Sequence, residues 1–355
     1  MGEQTFGFIL LILGAVCGGS FGLPSKFVRK ETPWETLWGP FFLFVTVLLP
    51  VVTFPLIAKG LFATCAKAGI GVIIMPVVFG FLWGLGSMFL GMSFAFIGLS
   101  LAYAINYGAQ IAAGGMGPLI IHHPDQLATP HGCTITAGVL ICIIGVVVCG
   151  RAAILKSRAQ QDGGGETMPT GPRLIKGLVV AFVSGIFCAC YGIAFSYGGG
   201  VMEISMKEFG NPGWRAAFAV SALILWGGAV SACGYCCFKF TTNKSWHTLR
   251  APGIGRVLAI ALIMALLHDG AILLFGVGAS NLGPLGVAVG YAAFMSFAII
   301  VGNVNGFLTG EWQGAGRRSL AWIVAGIIVL VAGVSVLAKG NFMQGRTAAE
   351  QAARE

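Results

Sequence analysis

An aspartate and a histidine stand side by side within a run of apolar residues, where ionisable side chains are rare. Asp269 follows His268 inside the stretch 257–279, and no comparable stretch of the sequence contains another carboxylate. Placing an aspartate at the centre of a membrane costs about 2.5–3.5 kcal/mol, so such a residue generally has a function. On an ideal helix adjacent side chains point about 100° apart, so these two need not touch.

Three roles for Asp269 fit this position. A titratable group at this depth can bind a proton and release it as access to water alternates, with His268 assisting. In the second role Asp269 pairs with a group on a neighbouring helix, and in the third it contacts a substrate directly. The first role predicts that a proton is the coupling ion of a transport reaction.

A polar stripe in a second apolar stretch, 99–121, can bind a ligand. Its members share one helix face through their spacing of i, i+3, i+4 and i+7, and they are Tyr103, Asn106, Tyr107 and Gln110. Amide and phenol groups face lipid only at a cost, so the stripe is expected either to line a water-filled cavity or to bond to another helix. Amides offer the donors and acceptors that a polyol needs, and tyrosine rings can stack on a sugar.

Two other helices offer candidates for the same cavity. Trp83 and Ser87 are four residues apart and therefore share a helix face. A tryptophan at this depth fits simple packing equally well, so both interpretations stay open. Tyr291, near the start of the predicted ninth helix, is the remaining candidate for the substrate-binding set.

Two groups of potential metal ligands are better explained in other ways. His122, His123, Asp125 and His131 cluster in the predicted outer loop between the fourth and fifth helices, where a solvated loop is the favoured interpretation. The cysteines at 233, 236 and 237 have zinc-like spacing, but no second pair completes four ligands. Most of the ten cysteines lie in apolar runs, where a thiol behaves as a small hydrophobic group.

Composition identifies the chain as a helical membrane protein. Hydrophobic residues make up 57% and charged residues 9% of the 355 positions, and the mean hydropathy is +0.88. Soluble domains contain about 25% charged residues. A chain with 9% has too few charged side chains to cover the surface of a globular protein in water. Stretches of about 20 apolar residues suffice to span a bilayer, and there are ten of them: 5–23, 36–57, 72–96, 99–121, 133–150, 175–197, 214–238, 257–279, 284–308 and 320–338.

The basic residues predict how these helices are oriented. Loops after the odd-numbered helices carry fourteen of the 21 Lys and Arg residues, and the opposite side, termini included, carries seven. The positive-inside rule then places both termini on the non-cytoplasmic side of the membrane. The net charge of +9 is thus explained by membrane topology, and we expect no nucleic-acid partner. The sequence also lacks a Walker A motif, and we expect no enzyme activity, catalytic residue, metal or cofactor.

A polar linker divides the chain into two parts of five helices each. Residues 151–174 form this predicted cytoplasmic linker between a first repeat, 1–150, and a second repeat, 175–340, which a polar tail, 341–355, follows. An odd number of helices per repeat requires the repeats to be inverted relative to each other, as in many secondary transporters. The predicted fold is therefore an all-α membrane protein of ten transmembrane helices in two inverted five-helix repeats.

Charged loop motifs make the sequence resemble a known family. The segment 14–38 combines a Gly/Ala-rich helix, a basic cluster and Trp34-Glu35-Thr36-Leu37-Trp38, and Glu311-Trp312 with Gly316-Arg317-Arg318 precedes the last helix. With the stretches 79–86, 91–100 and 176–192, these motifs resemble those of the L-rhamnose–proton symporters, a branch of the drug/metabolite transporter superfamily. The chain differs from the family pattern at Ser87-Met88-Phe89, at His268 and Asp269, and at 286–290.

The resemblance implies ten helices in inverted halves and import of a deoxy-sugar together with a proton. We therefore expect a multi-pass protein of a bacterial-type inner membrane whose partners are a small sugar, L-rhamnose or a related one, and the lipid bilayer. An exporter or exchanger of another metabolite in the same superfamily is the alternative, and a membrane receptor that binds sugar without moving it is another. The sequence predicts no oligomeric state.

Overall fold

The computed structural model describes residues 3–122, 124–162, 171–282 and 290–352, and the regular structure of these residues is entirely helical. The α-helices in chain order are α1 Glu3–Ser20, α2 Trp34–Leu43, α3 Leu49–Ile57, α4 Leu61–Ala68, α5 Ile70–His122, α6 Pro130–Asp162, α7 Pro172–Tyr197, α8 Gly199–Phe209, α9 Gly213–Thr242, α10 Ile254–Asn281, α11 Tyr291–Leu308 and α12 Gly316–Ala352. A π-helical turn, Phe44–Leu48, joins α2 to α3.

Among the described residues, eight helical stretches are long and apolar enough to cross a membrane, which confirms the predicted class of helical membrane protein. One of them, Ile70–Gly114, has 45 residues, twice the length that a bilayer requires. A shorter apolar helix spans Ala293–Leu308, and the predicted start of the ninth span lies outside the described residues. Helix length alone thus does not decide the number of spans, and ten stays a prediction.

Gly98 interrupts α5 and creates two arms, 70–97 and 99–122. Its φ of 78° and ψ of 172° are not helical, and this region of backbone conformation is populated almost only by glycine. The break lies at the boundary that the sequence predicted between the third and fourth spans. The long helix is therefore two apolar segments joined by a single glycine.

The helix ends meet on two opposite sides of the bundle, which we name by one residue each. At the Glu311 end, the carboxylate of Glu311 contacts Lys26 of the segment that follows α1 and the backbone at the Gly98 break. At the Asn211 end, the side chain of Asn211 accepts a hydrogen bond from the N–H of Lys59 at 3.0 Å and donates one to its carbonyl at 2.8 Å. Hydrogen bonds between segments far apart in the chain thus hold both ends.

Small residues let the helices between these ends pack closely. The helices α5 and α9 approach so closely that a methyl group added at Gly84 would lie 2.5 Å from the carbonyl oxygen of Gly228. Close approach of small residues is the usual basis of packing in membranes, where lipid tails remove the hydrophobic drive between helices. Other helix pairs in contact include α5 with α7, α6 with α12, and α1 with α10 and α11.

Two predicted polar segments contain helix where the structure describes them. The helix α6 continues to Asp162, so the first part of the predicted linker 151–174 is helical, and 163–170 lies outside the described residues. The helix α12 likewise continues to Ala352, through most of the predicted tail 341–355.

Candidate functional site

A cavity of about 600 Å³ lies between the helices, and six of the predicted site residues line it. Those six are Trp83, Ser87, Asn106, Tyr107, Gln110 and His268. The lining comes from α1, α2, α5, α7, α9, α10, α11 and α12, together with Val45 of the π-helical turn. Predicted site residues from three separate predicted spans thus meet in one space, as expected of a binding site between helices.

The polar stripe of α5 both lines the cavity and bonds to neighbouring helices. Tyr107 donates a hydrogen bond from its hydroxyl to the carbonyl oxygen of Gly18 on α1 at 3.0 Å. Asn106 donates from Nδ2 to the hydroxyl of Ser184 on α7 at 2.7 Å, and its buried Oδ1 has no hydrogen-bond partner. Asn106 and Tyr107 therefore both line the cavity and bond to another helix, so the two interpretations of the stripe are not exclusive.

Tyr103 lies outside the cavity lining, one layer toward the Glu311 end. It is fully buried, its hydroxyl accepts a hydrogen bond from the N–H of Gly22 at 2.9 Å, and its ring centroid is 5.0 Å from that of Phe94. Tyr103 thus stays in contact with Tyr107, at 5.4 Å between ring centroids, but does not line the cavity with the other three members of the stripe. The side chain of Tyr291 lies outside the described residues, so its predicted role stays a prediction.

His268 brings the ionisable pair to the cavity. Its ring lies among three aromatic rings, with centroids at 5.4 Å from Phe21, 6.0 Å from Trp83 and 6.3 Å from Phe41. The contacts with Phe21 and Phe41 are T-shaped, which places a ring edge on a π face and favours a fixed orientation of the imidazole.

Asp269 lies beside His268 and is 9% exposed. Its Oδ1 is 3.2 Å from Nδ1 of His268, so the two side chains do touch, although their position on an ideal helix does not require it. Its other oxygen, Oδ2, is buried without a hydrogen-bond partner. Within the described part of the chain no Lys or Arg forms an ion pair with Asp269. A buried carboxylate whose nearest partner is a histidine can change its protonation state, whereas pairing with a permanent cation would hold it charged.

The described lining of the cavity is electrically neutral apart from His268. It contains no Asp, Glu, Lys or Arg, and its surface is mainly aromatic and aliphatic, with a few hydroxyl and amide groups. An ion would enter such a space only at a large desolvation cost. The cavity therefore suits a neutral molecule that has both an apolar face and hydrogen-bonding groups.

Several lining residues were not in the predicted site. The rings of Phe21, Phe41 and Phe42 give no polar signal, and phenylalanine in an apolar helix reads as packing. Tyr191, also absent from the predicted site, donates a hydrogen bond to the hydroxyl of Ser221 at 3.1 Å. Its ring centroid is 5.7 Å from that of Trp83, so the two form one aromatic wall of the cavity.

The predicted outer-loop cluster and the cysteines take no part in this cavity as far as the structure describes them, except for Cys188. Nε2 of His131 is 3.1 Å from Oε1 of Gln126, and the side chains of His122 and His123 lie outside the described residues. The Sγ atom of Cys188 is 3.8 Å from Nδ2 of Asn106, at the contact between α5 and α7.

Comparison with known proteins finds similarity along nearly the whole chain. The model of the family described as L-rhamnose-proton symport protein matches residues 2–342. The L-rhamnose-proton symporters of Escherichia coli strain 55989 and of Escherichia coli O8 strain IAI1 are each 26% identical over 344 residues, which is 95% of this chain and 98% of the relative. The same values apply to the symporter of Escherichia coli O157:H7. The relatives are named as transporters, not enzymes.

Proposed function

Because this chain belongs to the L-rhamnose-proton symport protein family, we propose that it imports a neutral deoxy-sugar together with a proton. L-Rhamnose is the first substrate to test, since the relatives at 26% identity are named for it. The observation that carries the proposal is a cavity of about 600 Å³ that is neutral apart from His268, with Asp269 in contact with that histidine. Family membership supports transport, and the cavity supports the class of substrate.

The walls of the cavity offer what a deoxy-sugar requires. Its ring and methyl group present apolar C–H surface, which the rings of Trp83 and Tyr191 can cover. Its hydroxyl groups need donors and acceptors, which the side chains of Asn106, Gln110 and Ser87 supply. Asn106 is fully buried, so its unpaired Oδ1 would meet a substrate hydroxyl only after the side chain turns toward the cavity, and that contact would recover part of the cost of its burial.

The ionisable pair supplies a route for the proton. His268 lines the cavity, and Asp269 contacts it through Oδ1 while Oδ2 stays unpaired. A proton arriving from the cavity can bind to the pair, neutralise Asp269 and leave when the pair faces the other side of the membrane. A neutral sugar moving with one proton transfers one charge, so the membrane potential drives uptake by about 2.3 kcal/mol per 100 mV.

The proposal includes ten transmembrane helices in two inverted repeats. Counting the two arms of α5 separately and adding α11 to the eight long stretches gives ten segments. The contacts are reciprocal: α1 of the first repeat packs on α10 and α11, while α7 of the second repeat packs on both arms of α5. The last helices of the two repeats, α6 and α12, pack on each other. Such an exchange is what a two-fold axis in the membrane plane produces.

We propose that the Glu311 end lies on the cytoplasmic side of the inner membrane, and the distribution of basic residues supports this orientation. Lys26, Arg29 and Lys30 follow α1, and Arg317 with Arg318 begins α12 at the same end. Under the positive-inside rule both termini then lie outside the cytoplasm.

Uptake into proteoliposomes tests the function. Purified protein would be given L-rhamnose, other deoxy-hexoses and their fully hydroxylated counterparts, with and without an inward proton gradient. We expect accumulation of a deoxy-sugar only with the gradient. Uptake driven by a counter-substrate instead of protons would identify an exchanger, and binding without flux would identify a receptor; either result would contradict the proposal.

A further inference from the structure

A second cavity, of about 310 Å³, lies at the Glu311 end of the bundle. Its lining includes Ser25 and Lys26 after α1, Trp34 and Trp38 of α2, and Phe94 and Leu99 of α5. The first cavity extends the opposite way, since Phe195 near the end of α7 and Trp214 at the start of α9 line it. The two cavities therefore reach toward opposite sides of the protein.

Five rings in contact with one another lie between the two cavities, and we call them the ring barrier: Phe21, Trp38, Phe41, Phe94 and Tyr103. Phe21 and Phe41 line the first cavity, whereas Trp38 and Phe94 line the second. The ring centroids of Phe21 and Phe94 are 6.0 Å apart, and those of Trp38 and Phe41 are 5.2 Å apart. Each of these two contacts joins a ring that lines one cavity to a ring that lines the other, so a single layer of ring contacts lies between the cavities.

An ion pair ties three segments together around this barrier. The carboxylate of Glu311 accepts hydrogen bonds from the N–H groups of Leu99 at 2.6 Å and Ser100 at 3.0 Å, so it caps the second arm of α5. Nζ of Lys26 lies 2.7 Å from Oε1 of the same carboxylate. We call Glu311 and Lys26, with the capped backbone, the latch.

The latch is built tightly at its centre. A methyl group added at Gly306 would lie 1.7 Å from Oγ of Ser100, so the backbone of α11 lies directly against the capped turn. Burial would raise the pKa of Glu311. This effect is outweighed by the charge of Lys26 and its hydrogen bond, then by the backbone N–H groups and the charge of Lys156, so the pKa is lowered. The carboxylate therefore keeps its charge near neutral pH.

On the basis of the function proposed above, we propose that the second cavity is the exit for the sugar, and that the latch holds the ring barrier shut until the exit opens. The segments joined by the latch come from both repeats: Lys26 and Ser100 from the first and Glu311 from the second. Inverted repeats exchange access by moving against each other, so their opposed ends open in turn. Opening the Glu311 end must separate these segments, because the carboxylate lies between them.

Hydrogen–deuterium exchange of the full-length protein in nanodiscs tests the latch without any sugar. The variant is Glu311→Gln, and the matched control is Asp125→Asn, which neutralises an exposed carboxylate that lies outside both peptide ranges compared below. We expect about a tenfold shift in the populations of the two states. Exchange should become faster in peptides covering 21–38, at the ring barrier, and slower in peptides covering 195–214, at the mouth of the first cavity. The control should change neither region.

The reciprocal change is the decisive readout. Faster exchange at both ends would mean that Glu311 only stabilises the fold. Unchanged exchange at 21–38 would mean that Glu311 does not keep the ring barrier closed. Either result overturns the proposal. Lys26→Gln serves if Glu311→Gln does not fold, because it keeps the backbone cap, and its control is Lys339→Gln, at an exposed lysine outside both peptide ranges. A reciprocal change in a protein that moves no sugar would refute the proposed substrate but leave the proposed role of the latch intact. Sugar uptake without a reciprocal change would refute the latch alone.

Discussion

Replacing Asp269 by Asn should uncouple the transporter from the proton. The change is nearly isosteric, and it removes the carboxylate that touches His268. Oδ2 of Asp269 already lacks a hydrogen-bond partner, so an amide in its place adds no further unpaired group. We therefore expect the free energy of unfolding to change by no more than about 1 kcal/mol.

The membrane potential sets the size of the effect. One charge crossing 100 mV gains about 2.3 kcal/mol, which corresponds to an accumulation ratio on the order of 50-fold. With no proton bound, the ratio for a neutral sugar falls to about 1. The variant should therefore equilibrate the sugar across the membrane but not concentrate it.

The assay compares accumulation with counterflow in the same proteoliposomes. At an imposed potential of about 100 mV, inside negative, the unmodified protein should concentrate labelled sugar, and Asp269→Asn should not. Counterflow against a preloaded unlabelled sugar requires no net proton movement and should survive. Glu203→Gln, at an exposed ion pair, is the control and should behave as the unmodified protein. Full accumulation by Asp269→Asn would refute the coupling role, and loss of counterflow would show that Asp269 acts in substrate binding instead.

Three further predictions follow from the contacts. Trp83→Ala should weaken sugar binding about tenfold, near 1.4 kcal/mol, because it removes a wall of the cavity. Equilibrium binding measures this loss, and Trp246→Ala, at an exposed tryptophan, should leave the affinity unchanged. Gly98→Ala should lower the free energy of unfolding by about 1–3 kcal/mol, because φ is 78° and the added Cβ would lie 2.9 Å from the carboxylate of Glu311. The control for thermal unfolding is Gly234→Ala, where the added Cβ meets open space. Equal effects of the two substitutions would contradict the reasoning. The pKa of Glu311, which faces Lys26 and Lys156, is lowered on folding, so the stability it adds is fully present above its ordinary pKa of 4.5 and is lost as the pH falls through the lowered value. Unfolding of Glu311→Gln and the unmodified protein should therefore converge only well below pH 4.5, and convergence near neutral pH would show that the latch is not charged.

The sequence by itself determined what depends on local pattern. Uninterrupted apolar stretches identify membrane helices because the bilayer requires a fixed length of satisfied backbone. The spacing of Asn106, Tyr107 and Gln110 put them on one helix face, and the structure places that face on the cavity. The break at Gly98 was also visible, because it is a property of one residue and its neighbours.

Only the tertiary structure decided which apolar residues surround the ligand space. A helix that is apolar on all sides has no period that marks one face, so Phe21 and Phe41 could not be told from residues that face lipid. Tyr103 fits the stripe by spacing, yet its hydroxyl bonds to the N–H of Gly22 on another segment, and its side chain does not line the cavity. Glu311 and Leu99 are 212 positions apart, and a contact across that distance depends on how the two repeats pack. Periodicity acts within a helix, whereas these contacts arise between helices, and the chain order does not record them.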